Sequence, residues 1–412
     1  MSRTILHVDI NNCYAAIECL YRPEIRDKPV AVCGDAEARH GIVLAKNQIA
    51  KMADVKTGDA IWEAKLKCPG LVTVSADFRK YLRFSRKARE IYADYTDQME
   101  SFGIDENWLD VTGSLQIFGS GATIADTIRR RFRDELGITA SAGVSWNKIF
   151  AKLGSDMKKP DATTVITKEN YKETVWPLPV GELLYVGRST RKKLQNRGIF
   201  TIGDLAIRDV RSLRLLLGVW GETLWTFANG LDTASVRLNG EESVVKSVGN
   251  STTTVRDLKN ETDVKLIFYV LAESVAARLR KHGLKCKTVA IHVRDKDLIS
   301  FDRQGKLQAP TFVSDDIAQK AMELFRQTYT WDNPIRSLGV RGADLVTANG
   351  HIQLNLFDGD NAEAETLEQT VDQIRNRFGH YSIQRCAMLL DRQLTGFNPK
   401  DDYTIHPVSY FR

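Results

Sequence analysis

Three carboxylates in this sequence are placed where they could act together. Asp9 ends an apolar run, Thr4–Ile10, that is typical of a buried strand, and Asp105 and Glu106 lie in the turn of a predicted hairpin. A buried charge is costly unless something compensates it. If the strands are neighbours, the carboxylates meet at one end of a sheet, where such hard oxygen ligands favour Mg²⁺. Two such ions could activate a hydroxyl nucleophile and stabilise a leaving phosphate. For Asp105 and Glu106 alone a simpler interpretation stands, since acidic residues are common in turns.

Basic residues form two further patterns. Lys46, Lys51 and Lys56 lie near the ends of a short predicted helix, and Lys158-Lys159-Pro160 ends another. Such cations could neutralise a triphosphate, but lysines at helix C-termini are equally expected as partners of the helix dipole. Leu184–Leu194 followed by Arg197–Gly203 predicts two basic helices around a glycine turn, a pair whose backbone N–H groups could meet a DNA phosphate.

Alternating strand-like and helix-like patterns over roughly the first 165 residues predict the layered scaffold that would position these side chains. Strands are expected at Gln98–Ile104 and Asn107–Val111, and a long basic helix at Phe78–Thr96. Residues 168–232 read as all-helical, residues 246–345 return to mixed structure, and Glu363–Phe378 reads as a final helix. The fold class expected is α+β with several domains.

Composition narrows the class of protein. The 412 residues suffice for two to three domains, and 43% hydrophobic with 27% charged residues excludes a mostly disordered chain. No apolar run approaches the roughly 20 residues of a membrane span, so a cytoplasmic protein without membrane contact is expected. The six cysteines show no Cys-x-x-Cys spacing, which favours buried free thiols over a zinc site or disulfides.

The net charge of +6 is unevenly distributed. Residues 1–144 are neutral, residues 145–240 carry 15 basic against 9 acidic residues, residues 241–345 carry 17 against 14, and residues 346–412 carry 6 against 9. The basic middle fits a polyanion partner as well as an ordinary solvated surface. Charge alone does not choose between them.

Taken together, the motifs resemble those of the Y-family translesion DNA polymerases, of the bacterial DNA polymerase IV type found in Firmicutes. Any one of them is weak, but their order along the chain is specific. The motifs are Asp9–Glu18 (DINNCYAAIE), Gly41–Asn47 (GIVLAKN), Gly103–Asp110 (GIDENWLD), Gly143–Lys152 (GVSWNKIFAK), Lys158–Pro160, Gly187 with Thr201–Leu205 (TIGDL), and Ser251–Thr254 (STTT).

The resemblance implies an architecture and a set of site residues. A ferredoxin-like palm (1–10 and 75–166), fingers (11–74), a helix-hairpin-helix thumb (167–232), a linker (233–245), a little finger (246–345) and a tail (346–412) are expected. Asp9, Asp105 and Glu106 would hold two magnesium ions with the Ile10 carbonyl, Glu106 being the residue usually named as catalytic. The remaining assignments are Tyr14 as steric gate against a 2′-hydroxyl; Lys51, Lys159 and Gln48 on the triphosphate; and Gly187, Arg188, Lys285, Lys287, Arg294, Arg303, Arg336 and Arg341 on DNA.

Three departures from the family pattern bear on substrate affinity. Asn11, Asn12 and Cys13 replace an Asp and two aromatics that many relatives carry. Gln48 stands for a frequent Tyr, and Lys51 for an Arg whose bidentate geometry is lost. In the thumb, Gly187-Arg188-Ser189 replaces the more usual Gly-x-Gly. None of these changes removes a metal ligand.

The activity implied is template-directed, error-prone DNA synthesis of low processivity without proofreading, by a monomer that binds primer-template DNA and deoxynucleoside triphosphates. The segment Gln353-Leu354-Asn355-Leu356-Phe357 resembles the peptide with which bacterial polymerases bind the sliding clamp; the simpler interpretation is a short strand packed on the little finger. A catalytically inactive DNA-binding descendant and a nucleotidyl cyclase remain as alternatives. Primer extension with Mg²⁺ separates the three.

Overall fold

The computed structural model describes residues 3–34, 41–241, 244–348 and 362–399. The chain folds as two compact units, the first built from residues 3–34 and 42–241 and the second from residues 244–348 and 362–399. No helix within the described ranges combines the length and apolar character that a membrane span requires. This agrees with the absence of long apolar runs in the sequence.

Eight strands and twelve α-helices form the described part of the first unit. The strands are β1 (Ile5–Ile10), β2 (Val30–Cys33), β3 (Val43–Lys46), β4 (Val72–Ser75), β5 (Met99–Phe102), β6 (Glu106–Asp110), β7 (Ala140–Ser145) and β8 (Thr163–Val165). The helices are α1 (Cys13–Tyr21), α2 (Gln48–Met52), α3 (Ile61–Lys67), α4 (Phe78–Ala93), α5 (Leu115–Phe118), α6 (Gly121–Arg131), α7 (Lys148–Met157), α8 (Tyr171–Thr174), α9 (Arg188–Gln195), α10 (Ile202–Ala206), α11 (Val210–Leu217) and α12 (Val219–Ala228).

The main sheet of the first unit has the order β5-β6-β1-β7-β8. The first four strands are antiparallel neighbours in the order of a ferredoxin-like sheet, and β8 adds in parallel to β7. The predicted α+β class with a ferredoxin-like palm is therefore confirmed. A separate three-stranded sheet, β3-β2-β4, lies within the expected fingers, and residues 168–232 are helical as expected.

β1 is buried along its whole length because it is the central strand and both faces of the sheet are covered. Leu6, Val8 and Ile10 belong to the core formed with α4 and α6. Ile5 packs with residues of α7 on the other face. Since side chains alternate along a strand, His7 and Asp9 share the face of Ile5 and therefore lie on the α7 side.

α7 approaches the sheet closely at one glycine. Gly143 on β7 pairs in register with His7, and a Cβ at Gly143 would lie 1.9 Å from the Ala151 carbonyl oxygen of α7. Only a residue without a side chain permits this contact. The polar residues of α7 are thereby placed against the polar face of β1.

Several element boundaries differ from the sequence prediction by one to three residues. β6 begins at Glu106, so the hairpin turn consists of Gly103, Ile104 and Asp105, with Gly103 at φ +84°. The long basic helix ends at Ala93 rather than Thr96. The earlier start of β6 matters because it places Glu106 in the sheet ladder, where the register fixes its neighbour.

The predicted linker is partly fixed on the first unit. Residues 231–238 have no regular secondary structure, but the Arg3 guanidinium donates to the Ala234 carbonyl over 2.9 Å. The backbone N–H of Arg237 donates to the buried Glu100 carboxylate, which also accepts from Lys148 at 2.7 Å. The lack of hydrophobic periodicity therefore correctly predicted that residues 231–238 are irregular. These residues are nevertheless held against the first unit by hydrogen bonds.

The second unit contains four long strands and four α-helices among its described residues. They are β9 (Ser247–Leu258), α13 (Glu261–Lys281), β10 (Leu284–Asp295), β11 (Ser300–Thr311), α14 (Ser314–Thr328), β12 (Ile335–Thr347), α15 (Ala362–Phe378) and α16 (Arg392–Thr395). The sheet order is β11-β10-β12-β9, and the core forms between the sheet and helices α13 and α14.

The tail also packs on this second unit. Arg280 of α13 pairs with Glu368 at 2.8 Å and with Asp372 at 2.6 Å, both on α15. Leu394 of α16 is buried in the core of the unit. Residues 362–399 are thus an integral part of the second unit rather than a separate appendage.

Candidate active site

The register of the central strands brings the predicted carboxylates together. Asp9 on β1 pairs directly with Glu106 on β6, and the N–H of Ile10 donates to the carbonyl of Asp105 over 3.0 Å. Asp9, Ile10, Asp105 and Glu106 all line one cavity of about 290 Å³, together with Tyr14. The structure thus places the three carboxylates around one cavity at this end of the sheet, where the sequence predicts that they meet.

Two lysines and a histidine contact these carboxylates. Lys159 Nζ lies 2.6 Å from Asp9 Oδ2, and Lys152 of α7 forms an ion pair with Glu106. His7 Nε2 lies 3.2 Å from Glu106 Oε2. The sequence analysis assigned no role to Lys152 or His7. Lys152 is the last residue of the motif Gly143–Lys152, and His7 lies two residues before the motif that begins at Asp9.

Burial and mutual repulsion govern the ionisation of the cluster. Burial, with the nearby charge of Glu106, raises the pKa of Asp9 to about 7 against the opposing effect of Lys159. Burial and Glu106 likewise raise the pKa of Asp105 to about 6. Burial would also raise the pKa of Glu106, but hydrogen bonding with His7 and Lys152, together with the charge of Lys152, holds it well below its usual range. Of the three carboxylates, Glu106 is therefore the one most strongly held in its ionised form.

The donor set fits a divalent cation. Within the described ranges, no three His, Cys, Asp or Glu side chains converge tightly enough on one point to form a preformed metal site. However, the raised pKa values of Asp9 and Asp105 reflect their burial and, after it, repulsion from Glu106, which bound cations would relieve. The ammonium groups of Lys152 and Lys159 supply part of that positive charge here. Hard oxygen donors of this kind suit Mg²⁺ or a similar ion.

Tyr14 borders the cavity from α1, and its ring is held by stacking. It lies parallel to Tyr81, with ring centroids 4.4 Å apart, and meets the edge of Phe78 at 5.8 Å. Tyr81 is fully buried; its hydroxyl accepts from the Asp77 N–H and lies 3.0 Å from the Glu18 carboxylate, to which it donates. Because its neighbour is fixed in this way, the Tyr14 ring presents a firm wall to the cavity.

Strand β3 contributes a lysine that the family resemblance does not assign to the site. Lys46, at the end of β3, lines the cavity and donates to Thr57 over 3.1 Å. Burial and the neighbouring charge of Lys51 lower the pKa of Lys46. Lys51 and Gln48 are exposed on α2. The sequence pattern singles out Lys46 for its position near a predicted helix end. In the structure it is the last residue of β3 and lines the cavity.

A second groove of about 340 Å³ borders the site between α7 and the thumb. It is lined by Lys152 and Asp156 on one side and by Tyr185 and Gly187 on the other. Gly187 precedes α9, and a Cβ there would meet open space. Its backbone, and the exposed side chain of Arg188, are therefore accessible to a ligand in this groove.

The little-finger candidates divide between different surfaces. Val289, Ile291 and Val293 face the helices, as their alternation predicts, so Arg294 lies on the opposite face. Arg341 pairs with Ala290 and Gly249, which places it on that same face among small residues. Lys287 is exposed, and Arg336 lies in a bulge between Ile335 and Ser337.

Two of the basic residues have other surroundings. Lys285 is buried, and its ammonium pairs with Glu365 of α15 at 2.6 Å, so it is occupied within the protein. Arg303 pairs in register with Ile291 and so belongs to the helix side of the sheet. The clamp-like residues Gln353, Leu354, Leu356 and Phe357 lie outside the described residues.

One departure from the family pattern has a structural reason. Asn11 is buried, donates its amide to Thr139 Oγ1 over 3.1 Å, and accepts from Ser141 at 2.9 Å. A carboxylate could not donate to Thr139. Asn12 adopts φ 51°, a left-handed conformation that asparagine tolerates well. These residues join β1 to β7 and to α1 rather than contacting the cavity through a charge.

Comparison with known proteins places this fold and site. Residues 8–156 match the sequence model of the impB/mucB/samB family, and residues 245–356 match that of its C-terminal domain. DNA polymerase IV of Acetivibrio thermocellus is 55% identical over 396 residues, which cover 96% of this chain and 99% of that protein. DNA polymerase IV 1 of Bacillus subtilis is 37% identical over 94% of each chain.

A solved structure, a chimeric Y-family DNA polymerase, superposes with a TM-score of 0.73 at 22% identity, over 84% of this chain and 99% of its own. The fold and its carboxylate-lined cavity define a polymerase of the Y-family class. The chain belongs to the impB/mucB/samB family, as a DNA-directed DNA polymerase of the bacterial DNA polymerase IV type.

Proposed function

We propose that this chain extends a DNA primer by two-metal nucleotidyl transfer at the cavity lined by Asp9, Asp105 and Glu106. The observation that carries the proposal is the direct pairing of Asp9 with Glu106 beside the Asp105 turn. These three carboxylates and the Ile10 carbonyl would hold two Mg²⁺ ions, which when bound lower the pKa of the primer hydroxyl and stabilise the phosphate charge that develops.

The chain's own cations would orient the nucleotide. Lys46 and Lys159 both line the cavity, the first at the end of β3 and the second after α7. Lys51 adds positive charge near Lys46, as the lowered pKa of Lys46 indicates. Lysines act as point charges on phosphate, so they favour a triphosphate without fixing its exact geometry.

The protein would hold DNA through contacts to the DNA phosphates. The open backbone at Gly187 and the Arg188 side chain suit a phosphate of the primer strand in the groove beside α7. In the second unit, Arg294 and Arg341 share a sheet face with small residues. The sugar-phosphate backbone of DNA could therefore approach this face closely. Lys287 and Arg336 supplement this surface. Contacts of this kind are independent of sequence.

Primer extension tests the proposal. The purified chain, a primer-template duplex, the four deoxynucleoside triphosphates and Mg²⁺ should give template-directed products that chelation abolishes. Products that stop after a few additions per binding event, and a lack of 3′ trimming, would agree with the low processivity and missing proofreading that we propose. DNA binding without extension would instead favour the inactive descendant, and cyclic nucleotide formation would favour a cyclase.

Tyr14→Ala should relax sugar discrimination. The Tyr14 ring is fixed by Tyr81, so a 2′-hydroxyl above it would meet a surface that cannot yield. Removing the ring removes the clash without requiring new contacts, and the ratio of ribonucleotide to deoxyribonucleotide incorporation should rise by roughly 10- to 100-fold, as for loss of a steric rejection of a few kcal/mol. Single-nucleotide incorporation kinetics measure this ratio. Tyr21→Ala, an exposed tyrosine at the end of the same helix, is the matched control and should leave it unchanged.

The protein, which we propose to act as a monomer on chromosomal DNA in the cytoplasm, would benefit from a tether to that DNA. In our proposal the segment 353–357 provides this tether. Leu356 and Phe357 would fill an apolar pocket of the clamp, and Gln353 would hydrogen-bond at its edge. Leu356→Ala with Phe357→Ala should leave extension on free primer intact and remove its stimulation by a loaded clamp, because tethering acts through effective concentration. Undiminished stimulation of the double variant would favour the packed-strand interpretation.

A further inference from the structure

We propose that His7 is a positioning residue: its buried imidazole, fixed by Ser155, orients the Glu106 carboxylate for the reaction. The proposal rests on the role of Glu106 in the proposed function. It assigns a purpose to a polar chain that runs from α7 through β1 to β6.

The chain of contacts is short, and its His7 and Ser155 members are buried, whereas the Glu106 side chain is 21% exposed. His7 is fully buried, and its Nδ1 lies 2.8 Å from Ser155 Oγ. Its Nε2 lies 3.2 Å from Glu106 Oε2, in a geometry that is not that of an aligned hydrogen bond, and no group within the described residues makes an aligned hydrogen bond to that nitrogen. The Trp108 ring is centred 5.1 Å from the imidazole, and Gly143, which pairs with His7, lets the backbone of α7 approach this face of the sheet.

The hydrogen-bonding capacity of the three groups selects one arrangement. The Ser155 hydroxyl can donate either to the Lys152 carbonyl, 2.7 Å away, or to His7 Nδ1. If it donates to the carbonyl, Nδ1 must carry the ring proton, and the Nε2 lone pair faces a carboxylate oxygen. If it donates to Nδ1, the ring proton lies on Nε2 and is donated to Glu106. For a neutral ring, only the second arrangement sets a donor against an acceptor at both ring nitrogens.

His7 differs from the other partner of Glu106 in a way that matters. Lys152 offers a full positive charge, so it competes with any cation that Glu106 would bind. A neutral imidazole offers one hydrogen bond and no competing charge, so it can hold one carboxylate oxygen while the other is free for a metal. Partners of this kind behind a metal ligand typically change metal affinity or activity by roughly 10- to 100-fold.

The test compares His7→Phe, which keeps the ring shape but offers no donor, with His7→Gln, which restores an amide donor. His7→Phe should lower kcat for nucleotide incorporation by roughly 10- to 100-fold with less than about threefold change in KM, and should weaken Mn²⁺ binding to the free enzyme about tenfold, measured by electron paramagnetic resonance. His7→Gln should recover most of both losses. Duplex DNA affinity should stay unchanged in all variants.

Ser155→Ala keeps the test decisive if His7→Phe does not fold, since it removes only one hydroxyl. It should reproduce a smaller loss in the same direction in both readouts. Equal defects in the Phe and Gln variants, or unchanged kcat and Mn²⁺ affinity in Ser155→Ala, would overturn the positioning role. Mn²⁺ binding is measured without DNA or nucleotide, so a parent chain that lacked extension would contradict the proposed function while the His7 comparison still gave its own answer.

Discussion

Asp105→Ala is expected to reduce primer extension by roughly 10³-fold or more, while duplex DNA binding stays within about twofold of the parent. The carboxylate lines the cavity beside Asp9 and Glu106, and its loss removes charge stabilisation worth several kcal/mol at the transferring phosphate. The turn should survive, because the Ile10 N–H is bound by the Asp105 carbonyl, which alanine retains. Single-turnover extension and a DNA titration measure the two quantities.

The same variant should not lose stability. Burial raises the pKa of Asp105 to about 6, which means that the folded state disfavours its charge at neutral pH. Removing it should leave Tm equal or higher at pH 7, an advantage that fades as the pH falls below 6 and the parent carboxylate takes up its proton. Asp134→Ala, an exposed aspartate, is the control for both measurements. Extension near the parent rate would contradict the catalytic assignment of Asp105.

The two effects expected of Asp105→Ala, lost activity and unchanged or higher stability, have one physical cause, which is that three carboxylates share a buried cavity. Repulsion among Asp9, Asp105 and Glu106 is costly to the fold, and Lys152, Lys159 and His7 relieve only part of it. Sites of this kind commonly sacrifice stability for function. A cation that binds the folded state would therefore also stabilise it, so addition of Mg²⁺ is expected to act on both fold and chemistry.

Local sequence patterns predicted much of this site because its scaffold follows local rules. The apolar run Thr4–Ile10 with Asp9 near its end predicts a buried strand, and the structure has that strand as β1. The pairing of Asp9 with Glu106 was not readable from spacing. It depends on a register set between segments about 100 residues apart, which apolar patterning alone does not specify.

The remaining differences arise from tertiary partners distant in sequence. Lys285 was grouped with DNA-contacting cations by its charge, but Glu365, 80 residues further on, occupies it. The family resemblance assigned Lys51 and not Lys46 to the triphosphate, although the end of β3, which places Lys46 in the cavity lining, depends on pairing between β2 and β3. In both cases residue type was informative and the surroundings decided its use.

Gly143→Ala is expected to give the largest combined loss of stability and activity. The added Cβ would lie 1.9 Å from the Ala151 carbonyl oxygen and 2.5 Å from the Ser155 nitrogen, and backbone atoms cannot turn aside as a side chain could. Overpacking of this kind costs about 1–3 kcal/mol or more, which lowers Tm by roughly 5–10 °C in a unit of this size.

The helix must also shift away from the sheet, and α7 carries Lys152 and Ser155 and leads into Lys159. A displacement of about 1 Å in such groups can cost roughly 10²-fold in rate, so extension should fall strongly even at temperatures where the variant is folded. Gly70→Ala, where a Cβ would meet open space, should change neither Tm nor extension. A Gly143→Ala variant with parental Tm and parental extension would show that α7 does not need its close contact with β7 to position these residues. An unaltered Tm with lost extension would instead mean that the sheet absorbs the added methyl group while the site does not.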